Sequence, residues 1–165
     1  MTVTEQLSAL SAILTHRDLH SLFQPIVSLS DRRILGYEAL TRGPSNSALH
    51  SPVSLFAVAR QAGRLSELEL ACRESACRRF SQQKLEGKLF LNISPESLLE
   101  PSHPPGRTLQ LLQRYGIPPS QVVIGPSVGK AALLQGLPPA GGLAGGELGK
   151  DDDADLHGWE PTGYW

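Results

Sequence analysis

The sequence predicts an α/β fold of largely parallel strands joined by crossover helices, followed by an irregular, disordered C-terminal tail. Three observations carry that prediction. Apolar segments alternate between strand-like and helix-like runs after an initial hairpin, the helical runs repeat their apolar residues every three to four positions, and the composition changes abruptly after Ile124. At 165 residues the chain is long enough for one domain with a core and too short for two.

In the first twenty residues, Leu7, Leu10, Ile13 and Leu14 recur at helical spacing, with no basic leader and no long apolar run. They predict an amphipathic helix rather than a signal peptide or membrane span, serving either as a lead-in to the domain or as a dimerisation element. Leu22 to Leu29 and Ile34 to Arg42 are strand-like, and Ser30-Asp31-Arg32-Arg33 between them is short enough to return the chain only antiparallel to itself. Ser51-Pro52 marks a helix start, with proline tolerated in the first turn. A second helix runs from Leu65 to about Phe80 on a stripe of Leu65, Leu68, Cys72, Ala76 and Phe80. Lys88 to Ser94 reads as a buried strand ended by Pro95. Thr108 to Tyr115 reads as a short helix closed by Gly116, and Gln121 to Ile124 as the start of a further strand.

The 41 residues from Gly125 to Trp165 hold 10 of the 16 glycines with little apolar pattern, so they cannot repay the entropy of ordering. Within them, Asp151-Asp152-Asp153-Ala154-Asp155 lacks the apolar residues of a buried strand, and Leu156 stands where a calcium loop needs glycine. Gly125 to Ala131 imitates a phosphate-binding loop but is one residue short.

Charge is nearly balanced, 15 Lys+Arg against 16 Asp+Glu, which argues against a nucleic-acid polymer as partner. Cys72 and Cys77 are five apart in a helical segment and fall on different faces, so neither a disulfide nor a metal pair is expected between them. Idle thiols fit a reducing compartment, and the expectation is a soluble, cytoplasmic chain.

The residues that can carry chemistry sit in the hairpin and the next strand. A period of two puts Ile34, Gly36, Glu38, Leu40 and Arg42 on one face. A structural ion pair is the commoner fate of Glu and Arg in such a strand; a ligand or metal site is the alternative. Asn92, in the apolar run Leu-Phe-Leu-Asn-Ile-Ser, either satisfies backbone groups or offers an oxygen to a hard cation.

Taken together, Phe23-Gln24-Pro25-Ile26-Val27, Gly36-Tyr37-Glu38-Ala39-Leu40-Thr41-Arg42 and Leu91-Asn92-Ile93-Ser94-Pro95 resemble the EAL domain family, the bacterial cyclic di-GMP phosphodiesterases. Tyr115-Gly116-Ile117-Pro118-Pro119 looks like the family's next loop, and the resemblance covers about Leu19 to Ile124. It implies a TIM-type (β/α) barrel whose first strand is antiparallel. It also implies Glu38 as catalytic residue, Glu38 and Asn92 as ligands of Mg2+ or Mn2+, and Gln24, Leu40 and Arg42 as substrate-binding residues. The partner implied is cyclic di-GMP, cleaved to linear pGpG.

Three segments follow from this resemblance: a lead-in helix over 1–18, the N-terminal half of an EAL domain over 19–124, and a tail foreign to the family over 125–165. Family members continue the strand at Ile124 into a Glu-Ile/Leu-Thr-Glu motif whose first glutamate is a third metal ligand, whereas this chain continues Gly125-Pro126-Ser127-Val128. The later paired aspartates also find no match. The expectation is a frameshifted or prematurely ended family member, an incomplete barrel with little or no turnover, since two-metal hydrolysis needs both cations held. Three readings stay open at this level: the phosphodiesterase, a binding module without catalysis, and a product that acts only by association through exposed barrel edges, with itself or another chain.

Overall fold

The computed structural model describes residues 2–98 and 106–125. The tail from 126 onward, with its acidic run and its imitation phosphate loop, lies outside the described residues.

Helix α1 (Val3–His16) opens with a capping box: Thr2 Oγ1 accepts from the Glu5 amide at 3.2 Å and Glu5 Oε2 accepts from the Thr2 amide at 2.6 Å. Its Leu10, Ile13 and Leu14 are buried, as their spacing predicts. Strands β1 (His20–Val27) and β2 (Ile34–Arg42) form the expected antiparallel hairpin, in register Leu22 to Leu40 and Gln24 to Glu38. Helix α2 (Pro52–Gln61) starts at the predicted proline, although Ser51 makes no side-chain cap. Helix α3 (Leu65–Gln83) runs one turn longer than its apolar stripe.

Strand β3 (Lys88–Asn92) is shorter than the expected Lys88–Ser94 run. The proline that marks its end also begins a one-turn helix, α4 (Pro95–Leu98), because a fixed φ and a missing N–H suit the first helical turn as well as they unsuit a strand. Helix α5 (Arg107–Arg114) and a 3-10 turn (Pro119–Gln121) then lead to β4 (Val122–Gly125). Gly116 follows α5 with φ +67°, the left-handed stop its position suggested.

Both β3 and β4 add in parallel, giving a four-stranded sheet in the order β1-β2-β3-β4. The contact between β2 and β3 requires a glycine: a Cβ at Gly36 would lie 2.1 Å from the Lys88 carbonyl oxygen.

Helix α3 lies against one face of the sheet and belongs to two apolar clusters. Its Leu68 and Ala71 pack with Leu10, Leu14, Leu55 and Val58 of α1 and α2. Its Ala76, Cys77 and Phe80 pack with Leu89, Leu91 and Leu112. Phe23 reaches α3 from β1, its ring edge-on to Phe80 at 5.9 Å. Among the described residues no helix is long and apolar enough to cross a membrane.

Candidate functional site at the sheet's open face

Because Phe23 and Ala39 face α3, the alternate residues of the hairpin, among them Leu22, Gln24, Glu38 and Leu40, take the other face. Gln24 and Glu38 are direct cross-strand partners, which brings a glutamine and a carboxylate to one place on that face. The parallel register Glu38 to Phe90 puts Asn92 one strand repeat further along β3. There the Asn92 Nδ2 donates to Glu38 Oε1 at 3.0 Å. Asn92 Oδ1 is buried and accepts no hydrogen bond among the described residues.

Beside this pair, at the C-terminal ends of β2 and β3, is a cavity of about 310 Å³ whose walls include Leu40, Arg42, Arg60, Arg73, Asn92 and Ser94. The Arg42 guanidinium is part-buried and donates Nη1 to the Thr41 carbonyl at 2.8 Å, so its charge is carried at the cavity wall. Arg60 is drawn toward α4 by a 2.7 Å pair with Glu96. The structure thus gathers Gln24, Glu38 and Asn92 on one patch and Leu40, Arg42 and Asn92 around one cavity, with Asn92 common to both. Gln24 is exposed and the others are half-buried. In the adjoining parallel pair Asn92 aligns with Gly125, so the strand position beside it carries no side chain. Among the described residues no group of three or more His, Cys, Asp or Glu side chains is placed to hold a metal ion.

Two functional-looking residues of α3 escaped the sequence reading. Glu69 and Arg73 are each about 4% exposed in their side chains, with Arg73 Nη1 3.5 Å from Glu69 Oε2. Burial pulls the Arg73 guanidinium below its ordinary range, and the Glu69 carboxylate opposes that pull. A helical wheel carries the missing signal: at about 100° per residue, Glu69 lies inside the arc spanned by Leu68 and Phe80 and Arg73 only about 20° beyond it. Cys72, between them, has its thiol pushed up to about 12 by burial. It and Cys77 are free.

A family model for the EAL domain matches residues 7–129. The chain belongs to the EAL domain family. Over 91 residues it is 36% identical to PdeI of Escherichia coli K12, described as a probable cyclic di-GMP phosphodiesterase; the match takes in 51% of this chain and 12% of PdeI. The BlrP1 structure from Klebsiella pneumoniae, a calcium/cyclic di-GMP complex, is 30% identical with a TM-score of 0.56, over 65% of this chain and 26% of BlrP1. The FimX EAL domain of Xanthomonas citri, in complex with cyclic di-GMP, shares the fold with a TM-score of 0.64 at 20% identity, over 81% of this chain and 53% of FimX. The chain therefore spans about half of the FimX structure and much less of the other two. In this EAL chain the tripeptide Glu38-Ala39-Leu40 alternates across the sheet, with Glu38 and Leu40 on the open face and Ala39 buried toward the core.

Proposed function

We propose that this EAL chain binds cyclic di-GMP at the open face of its sheet, with Mg2+ or Mn2+ held by Glu38 and Asn92, and that it turns the dinucleotide over slowly or not at all. The observation that carries the reading is the division of labour within Asn92. Its Nδ2 is committed to Glu38, and its Oδ1 is left buried with no donor among the described residues. A buried carbonyl oxygen without a partner is costly, and a hard cation is a partner that an amide oxygen with a carboxylate nearby suits. The residues present therefore fit a divalent ion. When bound, it would supply positive charge and Lewis acidity at a phosphodiester.

The chain's own groups do the rest. Arg42 presents a planar guanidinium at the cavity wall, suited to two phosphate oxygens. Gln24 offers donor and acceptor beside Glu38, and Leu40 supplies apolar surface in the cavity. Glu38 is the carboxylate on which turnover would depend. The low turnover follows from Gly125, which leaves the strand position beside Asn92 without a carboxylate.

In this reading residues 1–18 lead in, 19–124 supply the first half of an EAL barrel, and 125–165 are Gly/Pro-rich sequence foreign to the family. The thiols and the cytoplasmic setting belong to the same reading. A second reading rests on Leu22, 45% exposed on the open face, where an uncovered apolar surface favours association with another chain or a second copy.

Calorimetric titration of the purified chain with cyclic di-GMP in Mn2+ tests the first reading. Saturable binding is expected, weakened at least tenfold by Arg42→Ala and by Glu38→Ala, with little pGpG formed. Gly125→Glu is expected to raise Mn2+ affinity. No binding in any condition, together with a dimer by light scattering, would favour the second reading.

A further inference from the structure

The chain leaves β3 by a sharp turn, Asn92-Ile93-Ser94, into the single turn of α4. The polar groups of that turn end largely on one side chain of α3. Ser94 N donates to Glu69 Oε1 at 3.0 Å, and Ser97 Oγ donates to Glu69 Oε2 at 2.5 Å. Ser66 Oγ, also from α3, donates to the Ser97 carbonyl at 3.2 Å. Ser97 closes the turn on itself, its amide donating to Ser94 Oγ at 3.3 Å, with its hydroxyl oxygen also 3.0 Å from the Ser94 carbonyl.

Holding a turn does not by itself call for a buried charge, because a serine or an amide can accept the same hydrogen bonds at far lower desolvation cost. Here the carboxylate is buried together with a guanidinium that it satisfies only in part: among the described residues Arg73 Nε and Nη1 make no hydrogen bond, Nη1 coming no nearer to Glu69 Oε2 than 3.5 Å. Such an arrangement stiffens what it grips. What it grips begins two residues after Asn92, and on the other side Ile93 N donates to the Gly125 carbonyl at 3.1 Å. The Asn92 backbone is thus clamped between the end of the β3–β4 ladder and the Glu69 carboxylate, while its side chain crosses to Glu38.

We propose that Glu69 is a positioning residue for Asn92. Through Ser94 and Ser97 it sets the backbone from which the Asn92 side chain projects, keeping Nδ2 on Glu38 and Oδ1 turned to the cation. Arg73 lies beside that carboxylate inside the fold, its Nη1 3.5 Å from Glu69 Oε2. The proposal rests on the cation reading given above only for the last of these consequences.

The test uses the full chain, Glu69→Gln and Ser97→Ala, with two readouts. One is the side-chain amide resonance of Asn92 in nitrogen–proton correlation spectra without metal, and the other is Mn2+ affinity by titration. In Glu69→Gln the Asn92 amide is expected to shift away from its wild-type position and Mn2+ binding to weaken about tenfold, the usual consequence of losing an outer partner of a metal ligand. Ser97→Ala, which leaves the ion pair intact, is expected to do the same to a smaller degree, and it decides the matter if Glu69→Gln does not fold. A merely structural Glu69 would lower the melting temperature and leave the Asn92 amide unmoved in the folded molecules. An unmoved amide with Mn2+ affinity within twofold of wild type would overturn the proposal. If the wild-type chain takes up no Mn2+, the cation reading alone fails, and the Asn92 amide still decides the role of Glu69.

Discussion

The two faces of the β1–β4 sheet come from the same strands, one residue alternating with the next, and they are built on opposite principles. Toward α3 the side chains are apolar and interlock, with Phe23 against Phe80 and Leu89 and Leu91 buried among Ala76, Cys77 and Leu112. On the other face Gln24, Glu38 and Asn92 stand beside a buried Phe90, the Asn92 amide oxygen meets no donor among the described residues, and Leu22 is open to solvent. The first face holds the fold together by burial, and the second has its polar groups aimed at something else. Stability and function are separated here by a period of two, so neighbouring substitutions should differ in kind.

The largest effect should come from the packed face. Phe80→Ala is expected to cost about 3–5 kcal/mol in urea unfolding, since the ring leaves a cavity that two packed elements cannot close. A loss below about 1 kcal/mol would break the comparison. Next is Asn92→Asp, which replaces a donor by a second carboxylate beside Glu38. In chelator it should cost about 1–3 kcal/mol, and one of the two carboxylates should titrate well above its ordinary range. Excess Mn2+ should restore the melting temperature, and a variant that ignores Mn2+ would argue against a cation at this face.

Gly36→Ala is expected to cost about 1–3 kcal/mol, because the new Cβ meets the β3 backbone rather than a movable side chain. Hydrogen exchange at Lys88 and Leu89 would show the strand pushed off. Cys77 gives a smaller, pH-dependent effect. Burial pushes its thiol up to about 12 from an ordinary 9, so the folded state keeps a proton that the unfolded chain gives up. Its contribution is fully present below about pH 9 and is lost as pH rises toward 12. Between pH 8 and 10.5 the wild type should therefore lose about 1–2 kcal/mol more than Cys77→Ala. Leu22→Ala, on the open face, should change stability by less than about 0.5 kcal/mol. A larger loss would mean that something covers that face in solution.

Much of this organisation could be read from the residues before any coordinates. The short polar connection between the strands dictated the antiparallel hairpin, although β1 ends at Val27 and leaves six residues rather than four between them, and alternation then placed Glu38 and Leu40 together. The apolar spacing of α3 located the helix and its buried arc. Cysteine spacing correctly predicted free thiols. The rest depended on partners distant in sequence. Proline 95 signals an end, and nothing local says that the same residue starts α4. The helical wheel puts Glu69 and Arg73 in or beside the buried arc, but only the amide of Ser94 and the hydroxyl of Ser97, 25 and 28 residues from Glu69, supply the hydrogen bonds that make burial tolerable. The link between Asn92 and Glu38 spans 54 residues and depends on β3 pairing in register beside β2.

The membership of α3 in both apolar clusters has a consequence for how the molecule comes apart. The cluster under α1 and α2 and the cluster under β3 and α5 share one continuous rod, so neither can melt while the other keeps its helix whole. Loosening either end should propagate along α3 to the other. The amides at its centre, near Cys72 and Arg73, should then be the slowest to exchange, opening only when both clusters are lost in a single event.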